Sequence, residues 1–289
     1  MFATQNSRVI TPLPITPSLV PGPLHQFNIV PAFISFVAVG ALFCPGIVPC
    51  LRAEDAPNPV FFQRSEKAFL AAKARLDADT NNPVSLWQFS RAAFDWADIQ
   101  TANSRRKDIA DQGIAVARRL IAAHPDSVEG HYYLGMNLGE LAETETLGAL
   151  KLVREMETEF SLVLKTNALF DNAGPDRNLG LLYRDAPGWP ASIGNRAKAR
   201  QHLQQAVILT PGFPENLLNL IEAELGWDET SKALRDLKTL DELWPKAQKE
   251  YIGEEWELSW ADWIKRRDDA RKKAGPTPVS PSPHNKASP

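Results

Sequence analysis

The chain has 289 residues, 44% of them hydrophobic and 23% charged, a composition that supports a globular core of ordinary size. Its formal net charge of −3 excludes the strongly basic balance of a general nucleic-acid binder. No block of lysine and arginine points to an anionic lipid surface.

The first element in chain order is an export segment. Residues 27–48 read FNIVPAFISFVAVGALFCPGIV, apolar and uncharged, and PCLRAEDAP follows. An apolar run ending in small residues before a polar start is the pattern of a secretory signal. Its uninterrupted core, residues 29–44, is shorter than the ~20 residues of a membrane-spanning helix. Residues 1–53 are therefore expected to be a signal peptide or N-terminal membrane segment. The protein is expected to be periplasmic or otherwise extracytoplasmic, and membrane-anchored only if that segment is retained. Cys44 and Cys50 both lie here, so cleavage after Ala53 or Ala56 leaves no thiol and no disulfide.

From residue 59 to residue 272 the apolar residues recur at intervals of three and four, as helices require, with no alternating strand pattern. A first helix is expected over Pro59 to Asp79. A unit then closes in GIAVARRLIAAHPDS, with Gly113, Ala117, Leu120 and Pro125 at its key positions. The next opens with VEGHYYLGMNLGEL, placing His131, Leu134, Gly135 and Leu138 on one face, and a degenerate unit follows Gly148. Asp176, Leu179, Gly180 and Tyr183 repeat that face in GPDRNLGLLY. Ala199, Leu203, Ala206 and Pro211 then recur, each 34 residues later, as Ala233, Leu237, Leu240 and Pro245. Leu217, Leu220, Ile221 and Glu224 form the helix between them.

These small-large-small faces and closing prolines resemble the tetratricopeptide repeat (TPR), in which glycine lets two helices approach closely. The implied fold is all-α, an α-solenoid of about four TPR-like helix-turn-helix units between N- and C-terminal capping helices. The last helix, 247–272, would carry Ile252, Trp256, Trp260 and Trp263 on one stripe to cover the final repeat. Residues 273–289 form a Pro/Ser-rich tail expected to be disordered.

The third unit is longer than the others. Gly180 lies 19 residues before Ala199, so seven extra residues occupy the turn around APGWPASIG. Trp189, between Gly188 and Pro190, is expected to fold over the groove.

Catalytic chemistry finds little support. His124, His131, His202 and His284 show no HExxH or comparable ligand spacing, and GxSxG and GxxxxGK[ST] are absent. No cofactor, metal or enzymatic activity is expected. The frame of a TPR stack instead points Tyr132, Met136, Arg177, Leu181, Arg184, Leu218 and Glu222 into its concave groove. With Tyr183 and Trp189 they are the candidate ligand- or partner-binding residues.

A narrower resemblance covers residues 82–244. The run GPDRNLGLLYRDAPGWPASIGNRAKARQHLQQAVILTPGFPENLLNLIEAEL looks like the T component of tripartite ATP-independent periplasmic (TRAP) transporters. That family implies a periplasmic helical-repeat protein, often lipid-anchored, that oligomerises, docks the periplasmic solute-binding protein and handles a hydrophobic small molecule. Phe43 and Pro49 precede the two cysteines, where a lipid-modified cysteine has a small residue. The alternative is a general envelope scaffold for protein partners, with no ligand.

Overall fold

Helix caps written into the sequence set the boundaries of the fold. The computed structural model describes residues 59–145 and 148–275. Among these the helices are α1 (Pro59–Ala78), α2 (Pro83–Asp98), α3 (Asn103–Ala123), α4 (Val128–Thr144) and α5 (Ala149–Thr166). They continue as α6 (Phe170–Asp185), α7 (Arg196–Leu209), α8 (Pro214–Gly226), α9 (Thr230–Glu250) and α10 (Glu257–Ala274). Asn82 caps α2 by accepting from the backbone N–H groups of Val84 and Ser85, with Pro83 at the first helical position. Ser127 caps α4 through Gly130 N at 3.0 Å, and Asn195 caps α7 through Lys198 N at 3.0 Å.

The pairs α2/α3, α4/α5, α6/α7 and α8/α9 stack side by side, α2 against α4 and α6 against α8. This is an all-α solenoid of TPR-like units. The small residues are where two helices meet. A Cβ on Gly135 would lie 2.7 Å from the Phe160 ring of α5, and one on Gly180 would lie 2.7 Å from Leu203 Cγ and 3.0 Å from its backbone nitrogen in α7. Only hydrogen fits there.

Both ends are covered. Helix α1 packs on α2 through Phe69, Ala72 and Leu76. Helix α10 packs on α8 and α9, in the place a further repeat would take. Arg64 of α1 donates to Glu257 Oε2 at 2.9 Å and to the carbonyl of Glu254 at 2.9 Å, so the first helix touches the start of the last.

Two boundaries differ from the sequence reading. Pro245 lies inside α9, which continues to Glu250, because Trp244 and Ala247 on the same face remain buried. The helix expected over 247–272 is accordingly the end of α9, a turn through Gly253 at φ 110 and a short 3-10 segment, then α10. The indole stripe breaks with it: Ile252 is 66% exposed, while Trp256 and Trp263 are buried. Trp263 lies 5.0 Å from Trp260 and 5.4 Å from Phe213, ring centre to ring centre, and Trp260 Nε1 donates to the carbonyl of Tyr251 at 2.7 Å. These rings seal the core of the last unit. The expected export segment and most of the expected tail lie outside the described residues.

Gly180→Val is expected to lower stability by about 2–3 kcal/mol through overpacking against α7. Gly226→Ala, where an added Cβ meets nothing within 4 Å, is expected to be neutral or stabilising by up to ~1 kcal/mol. Urea unfolding midpoints of the two variants check both values.

Candidate functional site

The first helices of the units carry a polar seam through otherwise apolar surfaces. Helix α2 supplies Arg91, Asp95 and Asp98, α4 supplies Glu140 and Glu143, α6 supplies Arg177, and α8 supplies Glu215, Asn219 and Glu222. Intervals of three and four put each set on one helix face.

Arg177 is the hub, 2% exposed. Its guanidinium donates to Asp171 Oδ2 at 2.7 Å and to Asn216 Oδ1 at 3.2 Å, with Glu215 Oε1 at 3.8 Å, and it lies 5.5 Å over the Phe213 ring. It also donates to the carbonyls of Asp171 and Asn172 at 3.1 and 3.2 Å. Those carbonyls belong to a turn in which Asp171, Asn172 and Ala173 all have positive φ, at 51°, 54° and 62°. Each left-handed L-residue costs roughly 1–2 kcal/mol, so the turn needs external support. Asn216 Nδ2 and Thr210 Oγ1 add to it, both donating to the Asn172 carbonyl, at 2.9 and 3.1 Å. From α4, the Tyr132 hydroxyl donates to Asp171 and accepts from Asn178 Nδ2 at 3.0 Å. One guanidinium thus ties α4, α6 and α8 together.

A second cluster closes the other end of the seam. Arg106 of α3 pairs with Glu143, lies 3.6 Å from Glu140, and donates to the carbonyls of Asp98 and Gln100 at 3.0 and 3.2 Å. Burial raises the Asp98 and Glu140 carboxyls well above their ordinary range, with the negative charge of Glu143 adding to Asp98 and that of Asp98 adding to Glu140. Burial likewise lifts Asp95 to about 6, against the pull of Arg91 at 3.5 Å. At the far end Arg266 of α10 donates to Glu222 Oε1 at 2.7 Å, to Asn219 Oδ1 at 2.6 Å and to Asp262 Oδ2 at 3.1 Å.

The expected groove residues take a different disposition. Tyr132, Met136, Arg177, Leu181 and Leu218 are buried, because neighbouring units approach closely enough to pack these side chains between helices. The structure brings Tyr132, Met136 and Arg177 together around Asn178, whose Nδ2 also reaches Met136 Sδ at 3.3 Å. Glu222 is held by Arg266 and Arg184 by Asp185 at 2.6 Å. Tyr183 sits between α5 and α7, donating to Glu157 at 2.5 Å and stacked on His202. Trp189 is 88% exposed, so its indole covers no groove. Its loop is closed at the base by Gly194 N donating to the Pro187 carbonyl at 2.9 Å and Asn195 N donating to that of Tyr183 at 2.8 Å.

Between Arg91, Asp95, Tyr132, Met136 and Asp171 the seam leaves about 10 Å³, room for one water. Larger spaces lie elsewhere, about 440 Å³ between α1 and α2 and about 330 Å³ beside α5 and α7. Sequence reasoning passed over Asp95, Asp98, Arg106, Glu140, Asp171, Glu215 and Arg266. The available signal was the polar residues recurring at three and four within apolar helices. His131 pairs with Glu159 and the Pro125 carbonyl, and His202 with Asp176.

The family model "Regulator of microtubule dynamics protein 1-3" matches residues 60–154, from α1 into α5; it is not the T component that the sequence resembles. No curated protein matches the chain. Among solved structures the chain is similar to TTC0263, a thermophilic TPR protein of Thermus thermophilus. Identity is 18%, coverage is 72% of this chain and 91% of that one, and the TM-score is 0.54. MamA is 20% identical over 65% of this chain and 92% of its own, with a TM-score of 0.46. The likeness to TTC0263 agrees with the TPR-like fold.

Arg177→Ala is expected to cost about 3–5 kcal/mol, because it strands Asp171 and Glu215 inside the stack; thermal or urea unfolding measures it. The pH dependence has a defined sign. Between the ordinary carboxylate value of 3.8 and about 6, folded Asp95 holds a proton that the unfolded chain has released. Stability therefore rises as pH falls through that window and is reduced above it. Asp95→Asn is expected to flatten the slope by at most ~1.4 kcal/mol per pH unit, read from urea unfolding at a series of pH values.

Proposed function

We propose that this chain is a non-enzymatic scaffold that holds a protein partner on a rigid TPR-like solenoid. The observation that carries this reading is the contrast between a filled seam and an exposed loop tip. Among the described residues the inner face carries ion pairs of its own, Arg177 with Asp171, Arg106 with Glu143 and Arg266 with Glu222. The seven-residue insertion presents Trp189 at 88% exposure on a loop tied at its base. A large exposed indole on a fixed loop gives a partner apolar area at low entropic cost.

The finer reading is an exported accessory subunit of a TRAP-type uptake system that docks a periplasmic solute-binding protein. Its support is the resemblance of residues 174–225 to the T component and the apolar run of residues 27–48. In that reading the partner covers the Trp189 loop. The handling of a hydrophobic solute and self-association belong to the same resemblance and gain no support from the charged inner seam.

Because Trp189 is exposed, Trp189→Ala is expected to leave the melting temperature within about 1 °C. It is expected to weaken binding of the protein that co-purifies stoichiometrically with the tagged chain from its own host by about tenfold or more. Quantitative pull-down and calorimetry measure the two effects. A large loss of stability with unchanged binding would remove the loop from the interface.

A further inference from the structure

The space between α1 and α2 is separate from the Trp189 loop and borders the seam at Arg91 and Asp95. It encloses about 440 Å³ and is lined by four cations, Arg64, Lys67, Arg75 and Arg91, against one carboxylate, Asp95. That volume lies in the range of binding clefts. Its floor is alanine, three residues from α1 and one from α2, with the Trp87 indole at one side. Trp87 is held in place by stacking on Tyr133, with ring centres 6.2 Å apart and planes 11° apart.

The arrangement of the charges is linear. Arg64, Lys67, Ala71 and Arg75 follow one another at three, four and four residues along α1, which is one helix face. Eleven residues of helix span roughly 16 Å, so the cations form a row rather than converging on a point. Arg64 and Arg91 are engaged, with Glu257 and Asp95 respectively. Lys67 and Arg75 are exposed and make no ion pair among the described residues. Positive charge spaced along a row beside a shallow apolar floor complements a ligand that carries several negative charges along its length and small apolar groups between them.

We infer that the α1–α2 cleft docks an acidic peptide segment of a partner protein. The carboxylates of that segment meet Lys67 and Arg75, and its apolar side chains rest on the alanines and Trp87. A single phosphate would need the cations gathered at one place, and a lipid surface would need them on a convex face. The inference deepens the scaffold reading, resting on its premise that the partner is a protein, and does not depend on the Trp189 loop.

The test uses the intact chain and a fluorescein-labelled peptide of repeating Glu-Leu-Glu-Asp, followed by anisotropy at ~50 mM salt. Binding is expected, and it should weaken steeply as salt is raised. The double reversal Lys67→Glu with Arg75→Glu is expected to lower affinity by about tenfold or more. A matched reversal at the exposed Lys151 and Lys246 should leave it within about twofold. Circular dichroism checks that both variants keep the helical fold. Failure of the peptide to bind, or equal loss in the two double variants, overturns the inference. So does displacement of the peptide by inorganic phosphate at equal concentration, or transfer of the chain to anionic vesicles with the same dependence on Lys67 and Arg75. If the peptide fails while the co-purifying partner still binds through Trp189, the inference is lost and the scaffold reading stands.

Discussion

A buried guanidinium governs the geometry of this protein. Arg177 lies where three units meet, and its hydrogen bonds are divided between the carbonyls of a left-handed turn, a carboxylate of the same turn and an amide of α8. An isolated charge in such a place would be strongly unfavourable; here Asp171 and Glu215 balance it and Asn216 directs it. The turn at residues 171–173 makes the regular part of α6 begin beneath Tyr132. That position lets the Tyr132 hydroxyl join the network and fixes how closely α4 and α6 approach. The register of the middle of the stack follows from a few directional polar contacts, whereas apolar packing supplies the bulk of its cohesion.

The stack therefore has two kinds of interface. Within a unit, glycine and alanine let paired helices close on apolar side chains, as Gly180 does against Leu203. Between units, polar side chains add cross-links, as Arg177 of α6 does to Asn216 of α8, Arg106 of α3 to Glu143 of α4 and Asn137 of α4 to Ser90 of α2. This division explains where binding surface remains. Many seam groups pair with one another, and the space between Arg91, Tyr132 and Asp171 holds about one water's volume. Free surface of distinctive chemistry lies at the margins instead, in the inserted loop between α6 and α7 and in the cleft that α1 adds to α2.

The fold was legible because its signals are local. Small residues at fixed positions, a 34-residue interval and caps such as Ser127 and Asn195 all act within a helix or between a helix and its immediate neighbour. Pro245 misled for the same reason: its local tendency to end a helix was outweighed by the burial of Trp244 and Ala247 on the face it interrupts. The polar seam was hidden because its partners are far apart in sequence. Arg177 and Asn216 are separated by 39 residues, Tyr132 and Asp171 by 39, Arg266 and Glu222 by 44. Each resembles an ordinary surface residue until the stack is assembled. A frame drawn from an open solenoid consequently assigned Tyr132 and Leu218 to a groove, when close approach of the units makes them interior.

The contact of Arg64 with Glu254 and Glu257 gives the chain a property that open repeat arrays lack. In an open array each terminal unit can detach alone, since it is bound on one side only. Here the first helix meets the start of the last, 193 residues away, and the arc returns on itself. An exposed ion pair of this kind adds at most about 1 kcal/mol, so its importance is geometric rather than energetic. The number of units and the curvature of each must agree for the two ends to arrive at the same place. Insertion or loss of one helix pair would carry Glu257 away from Arg64 and reopen the arc. The repeat count of this protein is in that sense a closure condition, where in an open solenoid it is only a length.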